Sequence, residues 1–161
     1  MSEPAHIRDA TEADAPAISA LIHTLTAYFL ADAEDPGSAE GFFKTITVEA
    51  VRGYLRDDRY RYHLAETAAG SLAGVVGVRD TTHLYHLFID QRFHGRGLGG
   101  RLWAAAKDAA RRAGNPGQFT VNSSRYGVPI YTRFGFVATG PEVVKEGIAF
   151  IPMELDERQP N

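Results

Sequence analysis

Between His83 and Asn122 the chain sets out a strand, a glycine-rich turn, a long amphipathic helix, a hard stop and a second strand, and few folds accept that order. His83–Asp90 is apolar and aromatic enough for a strand. Over Leu98–Ala113 the residues Leu98, Leu102, Ala105, Ala106 and Ala109 recur on one side at helical spacing, with Arg101, Lys107, Asp108, Arg111 and Arg112 on the other. Gly114 followed by Asn115-Pro116 stops that helix, and Phe119–Asn122 supplies the next strand. Tyr60–Thr67 and Leu72–Val78 precede the unit as two further strands, with Ala69-Gly70 and Asp80-Thr81 as hairpin turns. Such an order predicts an antiparallel meander followed by one strand–helix–strand crossover, hence a mixed α/β (α+β) sheet rather than a doubly wound one.

The flanks are read more coarsely. Residues 5–9 suit a first strand. Asp14 is placed to cap a helix with Pro16 in its first turn and an apolar stripe of Ile18, Leu21, Ile22, Leu25 and Phe29. Ala33–Glu40 is turn-rich, Thr47–Leu55 suits a second helix, Val128–Arg133 a short one and Ala149–Leu155 a last strand, with 155–161 as a frayed tail. No repeat or linker divides the chain, so residues 1–161 are expected to form one domain, which at this length buries roughly two-thirds of its unfolded surface.

Composition excludes more than it proposes. There is no cysteine, which removes disulfides, thiolate metal sites and a cysteine nucleophile. A formal charge of −3 leans against a nucleic-acid partner. No apolar run is long enough to span a membrane, and Met-Ser-Glu-Pro-Ala-His lacks the features of a signal peptide, so a cytoplasmic location with no membrane partner is the expectation.

The turn before the long helix reads Gly95-Arg96-Gly97-Leu98-Gly99-Gly100. Glycines let a backbone approach a ligand closely, and the first amides of a helix lack intrahelical partners while the helix dipole makes them partly positive. Together they form a phosphate site, with Arg96 able to add a charge at its rim. A tight packing turn is the plainer reading. Dinucleotide binding is another, since Gly95, Gly97 and Gly100 satisfy G-x-G-x-x-G, but the acidic residue expected about twenty positions on is absent and Asn122 stands there.

With these residues in view the chain resembles the GNAT superfamily of acyl-CoA N-acyltransferases. His94-Gly95-Arg96-Gly97-Leu98-Gly99 follows a strand ending Leu87-Phe88-Ile89, as the family's Arg/Gln-x-x-Gly-x-Gly/Ala block does, and Ser124 to Phe136 (Ser-Arg-Tyr-Gly-Val-Pro-Ile-Tyr-Thr-Arg-Phe-Gly-Phe) is similar to its second block. Three positions depart: His94 replaces Arg or Gln, Ser124 replaces an Asn and shifts polar contact to Asn122 or Ser123, and Gln91 replaces a proline.

The resemblance implies a mostly antiparallel sheet with one parallel crossover, splayed to bind acetyl-CoA, and an enzyme moving acetyl directly to a primary amine in a ternary complex. It implies a cofactor receptor of Leu87, Phe88, Ile89, His94, Gly95, Arg96, Gly97, Leu98, Gly99, Gly100, Asn122, Ser124 and Tyr131. The Leu87 amide would face the thioester oxygen, the Ile89 amide the pantetheine arm, and Tyr131 would protonate the thiolate; a core tyrosine beside Phe134 and Phe136 is the alternative for the last. Strict strand parity puts His83, Tyr85, Leu87 and Ile89 on one face and Leu84, His86, Phe88 and Asp90 on the other. Relatives place a catalytic Glu or His four residues before the oxyanion amide, which is His83; a surface histidine is the competing reading, and Glu66 and His86 are fallbacks. On that parity His83 and His86 diverge and make a poor metal pair, so no metal is expected. Tyr126 lines the cleft or packs in the core.

Two other functions fit the residues less well: a non-catalytic acyl-CoA sensor, which would need neither Tyr131 nor His83, and a nucleotide-binding domain. The acceptor is open. Loops in Tyr28–Leu55 are expected to contact it, and His63, Glu66 and the acids of Asp32–Asp35 either favour a cationic amine or are solvated. A homodimer is common among relatives.

Overall fold

The computed structural model describes residues 5–32 and 34–158. Residues 1–4, Ala33 and the end of the expected frayed tail, 159–161, lie outside these. In chain order the elements are β1 (His6–Asp9), α1 (Ala15–Thr24), α2 (Glu40–Phe43), α3 (Val48–Arg56), β2 (Tyr60–Glu66), β3 (Leu72–Arg79), β4 (His83–Ile89), α4 (Leu98–Arg112), β5 (Gln118–Ser123), α5 (Val128–Arg133), β6 (Val137–Ala138), β7 (Val143–Lys145) and β8 (Ile148–Asp156). The sheet runs β1-β2-β3-β4-β5-β8-β6, with β7 also on β8. The β4–β5 pair is parallel and its neighbours in the sheet are antiparallel, as the crossover requires. Two cores follow: α4 packs on one face with Leu84, Val121 and Phe136, and α1 and α3 on the other with Tyr62 and Val75. Among the described residues no helix is long and apolar enough to cross a membrane.

Local chemistry explains most boundaries. Thr47 caps α3 by accepting from the Ala50 amide at 3.1 Å. Asp14 does not cap α1 as expected; its carboxylate accepts from the Thr11 amide at 2.7 Å and, further back, from Arg8, whose guanidinium holds it below the usual carboxylate range. Phe29 also leaves the predicted helix. Thr24 and Thr26 direct their hydroxyls at the carbonyls of Leu21 and His23, α1 ends at Thr24, and a 3-10 turn over Thr26–Tyr28 follows. The exposed β6 and β7, two and three residues long, and the four-residue α2 carry too little periodicity to read from sequence.

The stop after α4 aligns the two central strands. Buried Asn115 donates to Thr81 O (2.6 Å) and Gln118 O (2.8 Å) and accepts from the amides of Gly117 and Gln118. One amide side chain thereby clips the β3–β4 turn to the start of β5.

Strict alternation on β4 is overturned. His86 pairs with Gly77 and Leu84 with Val78, so Tyr85 is an extra residue in a bulge. Leu84, Leu87 and Ile89 join the α4-side core, whereas His86 and Phe88 pack with Tyr62 and the α1/α3 side, and Tyr85 meets Tyr54 and Tyr60 there. His83, opposite in parity to Leu84, lies on the Tyr85 side, 6.5 Å from that ring. The two histidines therefore share a face. Glycine at position 77 is required because the Tyr62 ring lies across it, where a Cβ would collide. Gly77→Ala is expected to cost about 1–3 kcal/mol through overpacking, measured as a lower urea midpoint with the m-value unchanged.

Candidate active site

β4 and β5 pair only through His83↔Thr120 and Leu84↔Val121, then diverge. Into the divergence opens a cleft of about 940 Å³ whose lining runs from His83 to Gly100. The Asp90 amide donates to Ala73 O at 2.9 Å, so Ile89↔Gly74 is a pair whose peptide groups point away from β3, and by alternation so is Leu87↔Val76. The N–H groups of Leu87 and Ile89 are thus aimed at the gap left by β5, while that of Phe88 is turned toward β3. The Ile89 carbonyl points the same way and accepts from His94 Nε2 at 2.7 Å, which makes Nε2 the protonated nitrogen of that ring.

The glycine turn closes one end of the cleft. Gly95 (φ 76°) and Gly97 (φ 75°) are left-handed, which explains glycine at both, and Gly97 starts the 15-residue α4 with no side-chain cap. At Gly99 and Gly100 an added Cβ would make only ordinary contacts, with Ile89 at 3.8 Å and Phe134 at 3.7 Å. Packing does not require glycine there; the bare helix start keeps its amides accessible, as a cradle for a diphosphate needs. His94, Gly95, Gly97, Leu98, Gly99 and Gly100 line the cleft. The Arg96 guanidinium instead lies over the Phe93 ring at 5.6 Å, outside that lining.

From β5 and α5 come the other predicted residues. Asn122 and Ser124 line the cleft, but the Ser124 hydroxyl accepts from the Gly127 amide at 3.0 Å and so starts the turn into α5. Ser123 is buried and donates to Ser124 O. Tyr131 packs against Phe134 and Phe136 and also lines the cleft, with burial pushing its phenol well above the ordinary value. Tyr126 is half exposed, its ring 4.5 Å from Tyr28, and its hydroxyl approaches His94 Nδ1 at 3.4 Å.

His83 lines the opposite end, its Nδ1 2.8 Å from Thr120 Oγ1. Burial and then the charge of Arg79 push its pKa down to about 4. His86, buried and bonded to the Tyr62 hydroxyl at 2.8 Å, falls to about 3 through burial and then His83. Glu66 is paired with Arg8 at 2.9 Å and does not line the cleft. Neither do His63, Asp32, Glu34 or Asp35, and the described acids among them give no counter-charge for a cationic acceptor. No group of three or more metal-ligating side chains is gathered among the described residues. Sequence reasoning did not single out the ring-bearing wall of Phe29, Phe42 and Phe150, or Arg79 beside His83; an aromatic-rich stretch was the only signal available.

A family model described as an acetyltransferase (GNAT) domain matches residues 29–157. The chain belongs to the GNAT acetyltransferase family. Solved GNAT structures share its fold. A GCN5-related N-acetyltransferase from Rhodopseudomonas palustris aligns with a TM-score of 0.75 at 22% identity, covering 96% of each chain. yncA of Salmonella typhimurium, determined with its cofactor acetyl-CoA, gives 0.73 at 19% identity, covering 98% of this chain and 96% of that one. The paia N-acetyltransferase of Thermoplasma acidophilum, in complex with coenzyme A, gives 0.71 at 16% identity over 96% and 98%. No curated protein matches the chain.

The two histidines make a pH prediction for this GNAT domain. Their folded pKa values lie below the ~6.5 of an unfolded histidine, so the unfolded chain binds more protons between the two limits. Their stabilisation is complete above about pH 6.5 and is lost as pH falls toward the folded values. The unfolding free energy is expected to decline from pH 7 to pH 5, with a shallower slope in His86→Asn. Urea titrations at several pH values check this, and an identical slope in the variant would remove His86 as a source.

Proposed function

We propose that the chain, as one domain, transfers the acetyl group of acetyl-CoA to a primary amine in a ternary complex. The observation that carries this reading is that the free peptide edge of Leu87–Ile89 and the uncapped start of α4 open on the same cleft. The family match supports it, as do the coenzyme A and acetyl-CoA named for the Thermoplasma and Salmonella proteins.

Acetyl-CoA supplies the thioester carbonyl and a thiolate leaving group. The Leu87 N–H is the donor for the oxygen that gains charge, a type of contact typically worth about 2.7–4 kcal/mol in acyl transfer. Ile89 offers its N–H to the pantetheine arm, its carbonyl being already held by His94. The amides of Leu98, Gly99 and Gly100 receive the diphosphate, with Asn122 and Ser124 along the arm. Tyr131, kept protonated by burial, gives its proton to the departing sulfur. His83 is neutral at physiological pH and takes the amine's proton directly or through water; with its pKa near 4 it is a weak base that suits an acceptor easily deprotonated. The chain has no cysteine to form a cysteinyl acyl-enzyme, so the amine attacks the thioester directly.

Tyr131→Phe is expected to lower kcat on the order of 10²-fold or less, while calorimetry shows acetyl-CoA affinity nearly kept. An unchanged kcat in a chemistry-limited CoA-release assay would take Tyr131 out of the mechanism.

A further inference from the structure

On its α1/α3 side the cleft is walled by rings. Phe29, Phe42, Tyr85 and Phe88 line it, with Phe29 edge-on to Phe42 at 5.0 Å and to Phe88 at 5.7 Å. Such a wall suits a flat or bulky apolar body. A cation could in principle lie on these ring faces, but Arg79 already stands over Tyr85 at 5.4 Å.

Beside His83 the charge in the cleft is positive. Arg79, opposite His83 in the β3–β4 register, lines the cleft, and its ion pair is with exposed Asp80 at a long 3.7 Å. Its charge is felt at His83, Tyr54 and Tyr62. The remaining charged lining residues are Lys145 and Glu146, opposite in sign and adjacent in sequence, and Arg133, next to Phe134 at the glycine-turn end. Glu146 lies against Gly41, 3.2 Å from where a Cβ would stand, on the α2 side of the cleft. Among the described residues, His83 therefore has a guanidinium rather than a carboxylate as its charged neighbour in the cleft.

We propose, on the reading that the protein is an acetyl-CoA-dependent N-acetyltransferase, that its acceptor is an aromatic or bulky apolar amine bearing a carboxylate, of the α-amino-acid class, with Arg79 binding the carboxylate and the ring wall the side chain. A guanidinium pairs with a carboxylate in two parallel hydrogen bonds, which fixes orientation as well as position. Holding the carboxylate there leaves the α-amine beside His83.

The test is CoA release with phenylalanine, phenethylamine (same body, no carboxylate), glycine (same head, no ring) and spermidine, with acetyl-CoA binding followed by calorimetry. Phenylalanine is expected to exceed each of the others in kcat/KM by on the order of tenfold or more. Arg79→Met should collapse the phenylalanine-to-phenethylamine ratio by a similar factor through KM, and Arg79→Lys should restore part of it. Preference for phenethylamine, glycine or spermidine, or a ratio that Arg79→Met leaves intact, overturns the acceptor assignment while leaving acetyl transfer in place. Acetyl-CoA binding without turnover of any amine overturns the transfer reading, and this one with it.

Discussion

Two residue pairs hold β4 to β5, and then the strands part. A parallel pair that continued would satisfy the Leu87 and Ile89 amides within the sheet and leave no groove. Instead the Asn115 clip fixes the closed end, where it joins the β3–β4 turn to the start of β5, and nothing ties the strands beyond Val121. The exposed peptide edge that results can stay unpaired only because it faces an open cleft where water or a ligand can meet it. The proposed chemistry depends on that edge.

The parting also makes the cleft a passage through the sheet rather than a pit on one side. Leu84, Leu87 and the glycine turn belong to the α4 face, whereas Tyr85, Phe88 and Phe29 belong to the α1/α3 face. A thioester donor can approach from the first and an acceptor from the second, meeting where the β4 amides are free. The bulge at Tyr85 turns His83 and Tyr85 to the α1/α3 face while leaving Leu87 and Ile89 on the α4 face, as the proposed arrangement needs.

The glycine-turn side of the cleft was mostly legible in the residues because what forms it is local. A glycine turn, a helix start and a strand edge each leave a short signature, and Gly95–Gly100, α4 and β4 stand where the periodicity and turn chemistry put them. The ring-bearing wall was not legible, because its parts meet only in the fold: Phe29 comes from a turn, Phe42 from the four-residue α2, Arg79 from the end of β3, and Phe150 from β8. Parity failed for a related reason. One additional residue in β4 inverts the faces of everything before it, and whether a strand bulges is decided by its neighbour, here where the Tyr62 ring crosses Gly77, and not by its own sequence. Asp14 misled because a better partner, Arg8, lies six residues away on another element.

Tyr28 and Phe29 are consecutive in one turn, yet they serve opposite halves of the passage. Tyr28 touches Tyr126 and His94 and accepts from Gln91 at 2.7 Å, so it rests on the segment leading into the glycine turn; Phe29 is part of the ring wall, and its carbonyl accepts from the Ala149 amide at 3.4 Å. A ligand that orders this turn from one side removes part of the entropy cost of ordering it from the other. In that case each substrate raises affinity for its counterpart by one shared factor, through two aromatics joined by a single peptide bond.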